Sequence, residues 1–136
     1  MTTLEPSHLL GAHSTVDRLL ARIFQQALAD DMPAVREGWH ELTLLLRGHM
    51  AEEEATVLPQ FSLEHPGDAA KIAGEHAVIR MALAAVEERL ARGTARRDEV
   101  LNLVNLFRMH HYHEEAGMYR WARERRGAAS EIAAQR

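Results

Sequence analysis

The sequence predicts an all-α protein, an antiparallel up-down four-helix bundle, on three observations. Apolar residues recur at helical spacing in four segments of roughly 22 to 30 residues, and no stretch alternates long enough to make a useful strand. The connections between the segments are short, which favours antiparallel neighbours. The chain also repeats itself: Leu42, Leu46, His49 and Glu53 return 61 residues later as Leu103, Phe107, His110 and Glu114. His13, Val16, Leu20 and Ile23 return after 63 residues as His76, Ile79, Leu83 and Val86. Two copies of one helical hairpin, related by a pseudo-two-fold axis, account for both offsets.

The first helix starts at Ser7 or the Glu5-Pro6 step, since proline is tolerated in a first turn, and runs to about Ala29. Its inner face is Leu9, His13, Val16, Leu20, Ile23 and Ala27. Asp30-Asp31-Met32-Pro33 stops it, and Asp31 caps the second helix. That helix carries Leu42, Leu45, Leu46, His49 and Glu53 inward and ends near Pro59-Gln60-Phe61. His65-Pro66-Gly67-Asp68 reads as a loop with Asp68 capping the third helix. The third helix turns Ile72, His76, Ile79, Leu83, Val86 and Leu90 inward. Gly93 ends it and Thr94 caps the fourth. The fourth turns Leu103, Phe107, His110, Glu114, Gly117 and Trp121 inward and ends before Gly127. Residues 1–126 thus form the bundle domain, and 127–136 a short helix or frayed tail.

The 136 residues suffice for one domain with a real core. The absence of cysteine excludes disulfides, thiolate metal sites, iron–sulfur clusters and a cysteine nucleophile. No apolar run reaches the length of a membrane span and the start lacks a signal-peptide pattern, so a cytoplasmic protein without membrane contact is expected. A net charge of −4 gives no general attraction to nucleic acid. The basic run Arg120 to Arg126 suits a solvated helix end, where cations complement the helix dipole.

Histidine carries the chemical signal, with nine in the chain. In His49-x-x-x-Glu53 and His110-x-x-x-Glu114, four-residue spacing stacks imidazole and carboxylate on one helix face. A single buried histidine is more often a satisfied core residue than a ligand. Four on four inward faces (His13, His49, His76, His110) with two in-register carboxylates are different, because burying such groups unpartnered costs several kcal/mol per charge. A pair of metal ions would compensate, each with two histidines and with Glu53 and Glu114 shared as bridges. A third pair, His111–Glu115, falls outside the repeat, so His111 is the extra histidine. His40 points to the opposite face, and its Glu37-x-x-His40 occurs once. His8 lies off the face, His65 in a loop, and His113 close enough to His110 to assist. Glu53 alone of the 52–54 run faces inward, and the methionines suit packing or surface.

The set His13, His49-x-x-x-Glu53, His76 and His110-x-x-x-Glu114, with Glu53-Glu54-x-x-x-Leu58-Pro59, resembles the hemerythrin-like (HHE cation-binding) family over about residues 8 to 122. The resemblance implies two non-haem iron ions joined by an oxo or hydroxo bridge. By it, His13 and His49 bind one iron, His76 and His110 the other, and Glu53 and Glu114 bridge. The dioxygen carriers of the family have a second histidine one turn after the ligand of the third helix, where this chain has Arg80. Their bridging aspartate comes five residues after the last histidine, where Glu114 comes after four. The expected function is binding of, or reaction with, a small oxidant: dioxygen, hydrogen peroxide or nitric oxide. Catalase-like peroxide turnover is one reaction open to it. An iron- or oxygen-responsive module or an iron store without catalysis is the alternative, with Trp39 or the tail as a contact surface for a protein partner. Arg80 is expected to pair with Asp17, its counterpart one turn after His13.

Overall fold

The computed structural model describes the backbone of residues 6–134 and the side chains of residues 12–127. His8, Leu9 and the tail beyond 127 therefore lie outside the described side chains. The helices are α1 (Pro6–Leu28), α2 (Met32–Ala55), α3 (Val57–Glu64), α4 (Pro66–Arg92), α5 (Arg97–Glu114) and α6 (Arg120–Ala134), with a five-residue π turn, Glu115–Tyr119, joining the last two. No strand occurs among the described residues. None of the described helices is long and apolar enough to cross a membrane. α1 packs on α2 and α5, and α4 packs on the same two, so each of these helices has two large neighbours.

Local chemistry explains where the helices begin and end, including where expectation fails. Asp31 caps α2 as expected, its carboxylate accepting from the Ala34 N–H at 3.3 Å. The second helix does not run unbroken to Phe61. It stops at Ala55, and Thr56 leaves helical geometry (φ −120, ψ −83) before α3 begins. Pro59 is the reason, since its ring has no N–H and collides with the carbonyl four residues back, that of Ala55. Thr56 Oγ1 donates to the Glu52 carbonyl at 2.7 Å and closes the freed end. α4 starts at Pro66 rather than after a loop, so Asp68 sits in its first turn and does not cap it. Gly93 ends α4 at φ 72, the left-handed geometry glycine adopts without strain. Thr94 reaches back to the Arg89 carbonyl instead of capping α5, whose cap is Arg96.

The π turn corrects the fourth inner face. An α-helix continued from Glu114 would bring Gly117 and Trp121 inward, but Gly117 is exposed and Trp121 is only half-buried, packed on the edge of the smaller apolar cluster. The wider turn adds one residue, and Met118, Tyr119 and Ala122 face in instead, each with no exposed surface. Leu45 also departs from expectation, at 39% exposed, and its repeat partner Leu106 is 42% exposed. Their shared exposure shows the repeat surviving into three dimensions. α6 passes Gly127 and stays helical to Ala134.

Two apolar clusters result. The larger runs through α1, α2, α4 and α5, from Val16, Met50, Ile79 and Phe107 to the far end of those helices. Trp39 lies within it with no exposed surface, its indole N–H donating to the Leu83 carbonyl at 3.1 Å. It is therefore not a contact surface. The smaller cluster joins Val57, Leu58, Phe61, Ala69, Ile72, Met118, Tyr119 and Ala122. Along the chain His49–Glu53, His76 and His110–Glu114 each fall between residues of the two clusters, and His13 precedes the larger cluster on α1.

Candidate metal centre

These six residues form a polar layer enclosed by the two apolar clusters. His13, Glu53, His76 and Glu114 have no exposed surface, and His49 and His110 are 5% and 3% exposed. One ligand atom each from His13, His49, Glu53 and Glu114 lie within 4.8 Å of one another, as do those of Glu53, His76, His110 and Glu114. The two carboxylates are common to both groups.

The helical pairs act as their spacing predicts, with His49 Nε2 3.1 Å from Glu53 Oε2 and His110 Nε2 3.1 Å from Glu114 Oε2. The other contacts cross between helices. His13 Nε2 lies 3.0 Å from Glu114 and 3.4 Å from Glu53. His76 Nε2 lies 2.9 Å from Glu114 and 3.2 Å from Glu53. The imidazoles pair edge-on, His13 with His49 (centroids 4.4 Å, planes 65°) and His76 with His110 (4.9 Å, 70°).

The carboxylates titrate accordingly. Burial pushes Glu114 up, but the imidazoles of His110, His13 and His76 close beside it outweigh that and hold the carboxyl down to about 2. Glu53 is held far below the carboxylate range by His13, His49 and His76, again against burial. In return, His13 and His76 are each raised to about 10, the nearby Glu114 and Glu53 carboxylates overcoming the desolvation that lowers them. Tyr119 donates its hydroxyl to Glu53 Oε2. Burial, and then the Glu53 charge, push its phenol upward.

A second ring of carboxylates holds the imidazoles from behind. Glu115 sits 3.3 Å from His13 Nδ1, Glu54 2.7 Å from His76 Nδ1, and Glu75 2.7 Å from His110 Nδ1. Outer carboxylates of this kind fix the tautomer and orientation of metal-ligating histidines. Glu54 and Glu115 are repeat partners, each serving a histidine of the other hairpin. His49 Nδ1 has no hydrogen-bond partner, because Ala12 stands where the repeat would place a counterpart of Glu75.

Several expectations change here. Arg80 does not pair with Asp17. Its guanidinium clamps Glu54 with two hydrogen bonds of 2.7 and 2.8 Å, since α4 packs on α2. Asp17 instead takes His111 Nδ1 at 2.9 Å. His111 is not a peripheral extra: it is 2% exposed and stacks on His13 (centroids 4.2 Å, planes 17°). Burial drives its pKa below the usual value although Asp17 opposes that. Glu54, outside the inward face as expected, is nonetheless tied to Arg80 and His76. His40 is exposed as expected and meets Glu87 at 2.8 Å. His113 is half-exposed and shares Glu75 with His110. The adjacent His110-His111 pair was the one sequence signal for a fifth imidazole. Glu75 and Tyr119 left none, because their roles depend on which helices meet.

Buried atoms without a hydrogen-bond partner concentrate in this layer: His13 Nε2, both nitrogens of His49, Glu53 Oε1, His110 Nε2 and Glu114 Oε1. Unpartnered buried polar atoms are costly, and imidazole nitrogens with carboxylate oxygens are a donor set for divalent or trivalent cations. The residues fit a metal. The family model of the hemerythrin HHE cation binding domain matches residues 6–122.

The chain belongs to the hemerythrin HHE family.

The match takes in all six residues and most of the chain. Membership and the buried His/Glu groups together make this hemerythrin-like protein a metal-binding module. No curated protein and no solved structure matches it.

Proposed function

We propose that this hemerythrin-like chain is a non-haem di-iron protein that binds or reacts with a small oxidant: dioxygen, hydrogen peroxide or nitric oxide. On this reading α1, α2, α4 and α5 form an antiparallel up-down four-helix bundle within residues 1–126. His13 and His49 hold one ion, His76 and His110 the other, and Glu53 and Glu114 bridge. The supporting observation is the sharing of two fully buried carboxylates by two histidine pairs. A bound iron pair supplies two-electron redox chemistry with a small oxidant. The protein's part is to hold the ligands rigid: Glu115, Glu54 and Glu75 lock three imidazoles, and Tyr119 pins Glu53. The apolar clusters above and below keep bulk water away.

The test is anaerobic reconstitution with ferrous iron, followed by metal analysis and an optical spectrum after oxidation. Two irons per chain are expected, with most of the paired centre lost in Glu53→Ala and in Glu114→Ala and none lost in His40→Ala. Saturation well below two, or equal loss across the three variants, counts against the assignment.

A second reading, an iron- or oxygen-responsive module or store without turnover, is favoured by one observation. The ligands come from four separate helices, so a metal would also be a folding partner. Peroxide consumption by the loaded protein supports the first reading. A large metal-dependent rise in melting temperature without consumption supports the second.

A further inference from the structure

His111 breaks the two-fold repeat. Its counterpart 61 residues earlier is Met50, a fully buried apolar side chain, and the counterpart of its partner Asp17 is Arg80. One side of the centre therefore carries an imidazole that the other lacks.

A fifth ligand to the ion held by His13 is the obvious assignment, and the ring geometry argues against it. Imidazole binds a metal in its own ring plane. The pairs His13–His49 and His76–His110, with planes 65° and 70° apart, can converge on a shared ion. His111 lies parallel to His13, 17° between planes, so one ion cannot lie in both rings.

The hydrogen bonding of His111 assigns it another role. Asp17 is ionised and accepts only, so the proton it binds is on Nδ1 of His111. A neutral imidazole with Nδ1–H carries a lone pair on Nε2, which accepts a hydrogen bond and cannot donate one. Asp17 is 44% exposed, at the rim. The ring pinned to it turns Nε2 inward, where that atom is buried with no partner. A surface cleft of about 570 Å³, lined by Ser14, Asp17, Arg18, Ala21, Glu115 and Arg123, opens over Asp17 and Glu115. The cleft thus reaches Asp17 and Glu115, the outer partners of His111 and His13.

We infer that His111 is a positioning residue that accepts a hydrogen bond from a small O–H-bearing ligand, water or a peroxide, on the His13/His49 side, and so disfavours ligands without a proton, such as azide or nitric oxide. This rests on the di-metal proposal above and adds to it which class of ligand the open side prefers.

The test uses the full chain loaded with iron and oxidised, with metal content measured first and sodium azide then titrated by absorbance. His111→Phe keeps the stack and removes the acceptor. Metal content should stay at the unaltered level and azide should bind about three- to tenfold more tightly, the worth of one neutral hydrogen bond to the water it displaces. His111→Gln offers an amide oxygen and should stay within about twofold of the unaltered protein. Asp17→Asn leaves the ring in place but can donate to Nδ1, moving the proton to Nε2, and should tighten azide binding at least as much as His111→Phe. If His111→Phe fails to fold, Asp17→Asn decides. Loss of metal in His111→Phe would make the residue a ligand and overturn the inference. So would azide affinity unchanged in Asp17→Asn and in His111→Phe. Failure of the unaltered chain to take up metal sinks the di-metal proposal itself and is seen before any azide is added.

Discussion

At the scale of single residues, the outer carboxylates are the part of the centre most open to test. Glu54 is not among the six inner residues, yet its bond to His76 Nδ1 makes it matter. Glu54→Gln should weaken metal affinity about 10- to 100-fold, as loss of such partners does elsewhere, with little change in melting of the metal-free protein, because its pair with Arg80 is about one-third exposed and contributes little. Competitive titration against a chelator measures the first, and circular dichroism the second. Protons compete for the same nitrogens. His13 and His76 are raised to about 10 in the metal-free protein, so both carry protons at neutral pH that a metal must expel. Affinity should climb as pH rises from 6.5 toward 10, and calorimetry in buffers of different ionisation enthalpy should register proton release. For the metal-free chain the sign is opposite. These raised histidines contribute stability that is fully present below about 6.5 and lost as pH rises through about 10. The six inner residues were legible in the sequence because each recurs at helical spacing in both halves. Glu75 and Tyr119 were not, and His111 showed only as a neighbour of His110, since nothing in local spacing says which neighbouring helix a side chain will meet.

At the scale of elements, the helices themselves were legible and their interruptions only partly so. Pro59 announces a break but not its place, which its ring sets four residues upstream. The π turn is harder to foresee, because one extra residue in a helix needs no special composition. It makes an asymmetric prediction. Deleting Ala116, an exposed residue within it, returns the segment to α geometry and leaves Met118, Tyr119 and Ala122 facing inward. Inserting one alanine after Gly117 turns all three by about 100° out of the core. The deletion should keep a cooperative thermal transition close to that of the parent. The insertion should cost several kcal/mol, at about 1.5–3 kcal/mol for each large apolar side chain exposed. Equal damage from both would show that the wide turn is itself required.

At the scale of the whole molecule, the internal repeat distributes the centre evenly. Residues 1–64 contribute His13, His49 and Glu53, and residues 65–136 contribute His76, His110 and Glu114. Each proposed ion takes both imidazoles from one hairpin but a carboxylate from each, and Glu54 and Glu115 each support a histidine of the opposite hairpin. The ions would therefore act as a clasp between the two hairpins. Produced as separate fragments cut in the His65 connection, the hairpins should associate in the presence of ferrous iron and come apart when it is chelated, a change visible by size-exclusion chromatography. Association that ignores metal would mean the apolar clusters suffice to close the molecule. A metal-gated result would make this small protein a fragment-complementation switch, in which the supply of one ion decides whether two chains behave as one.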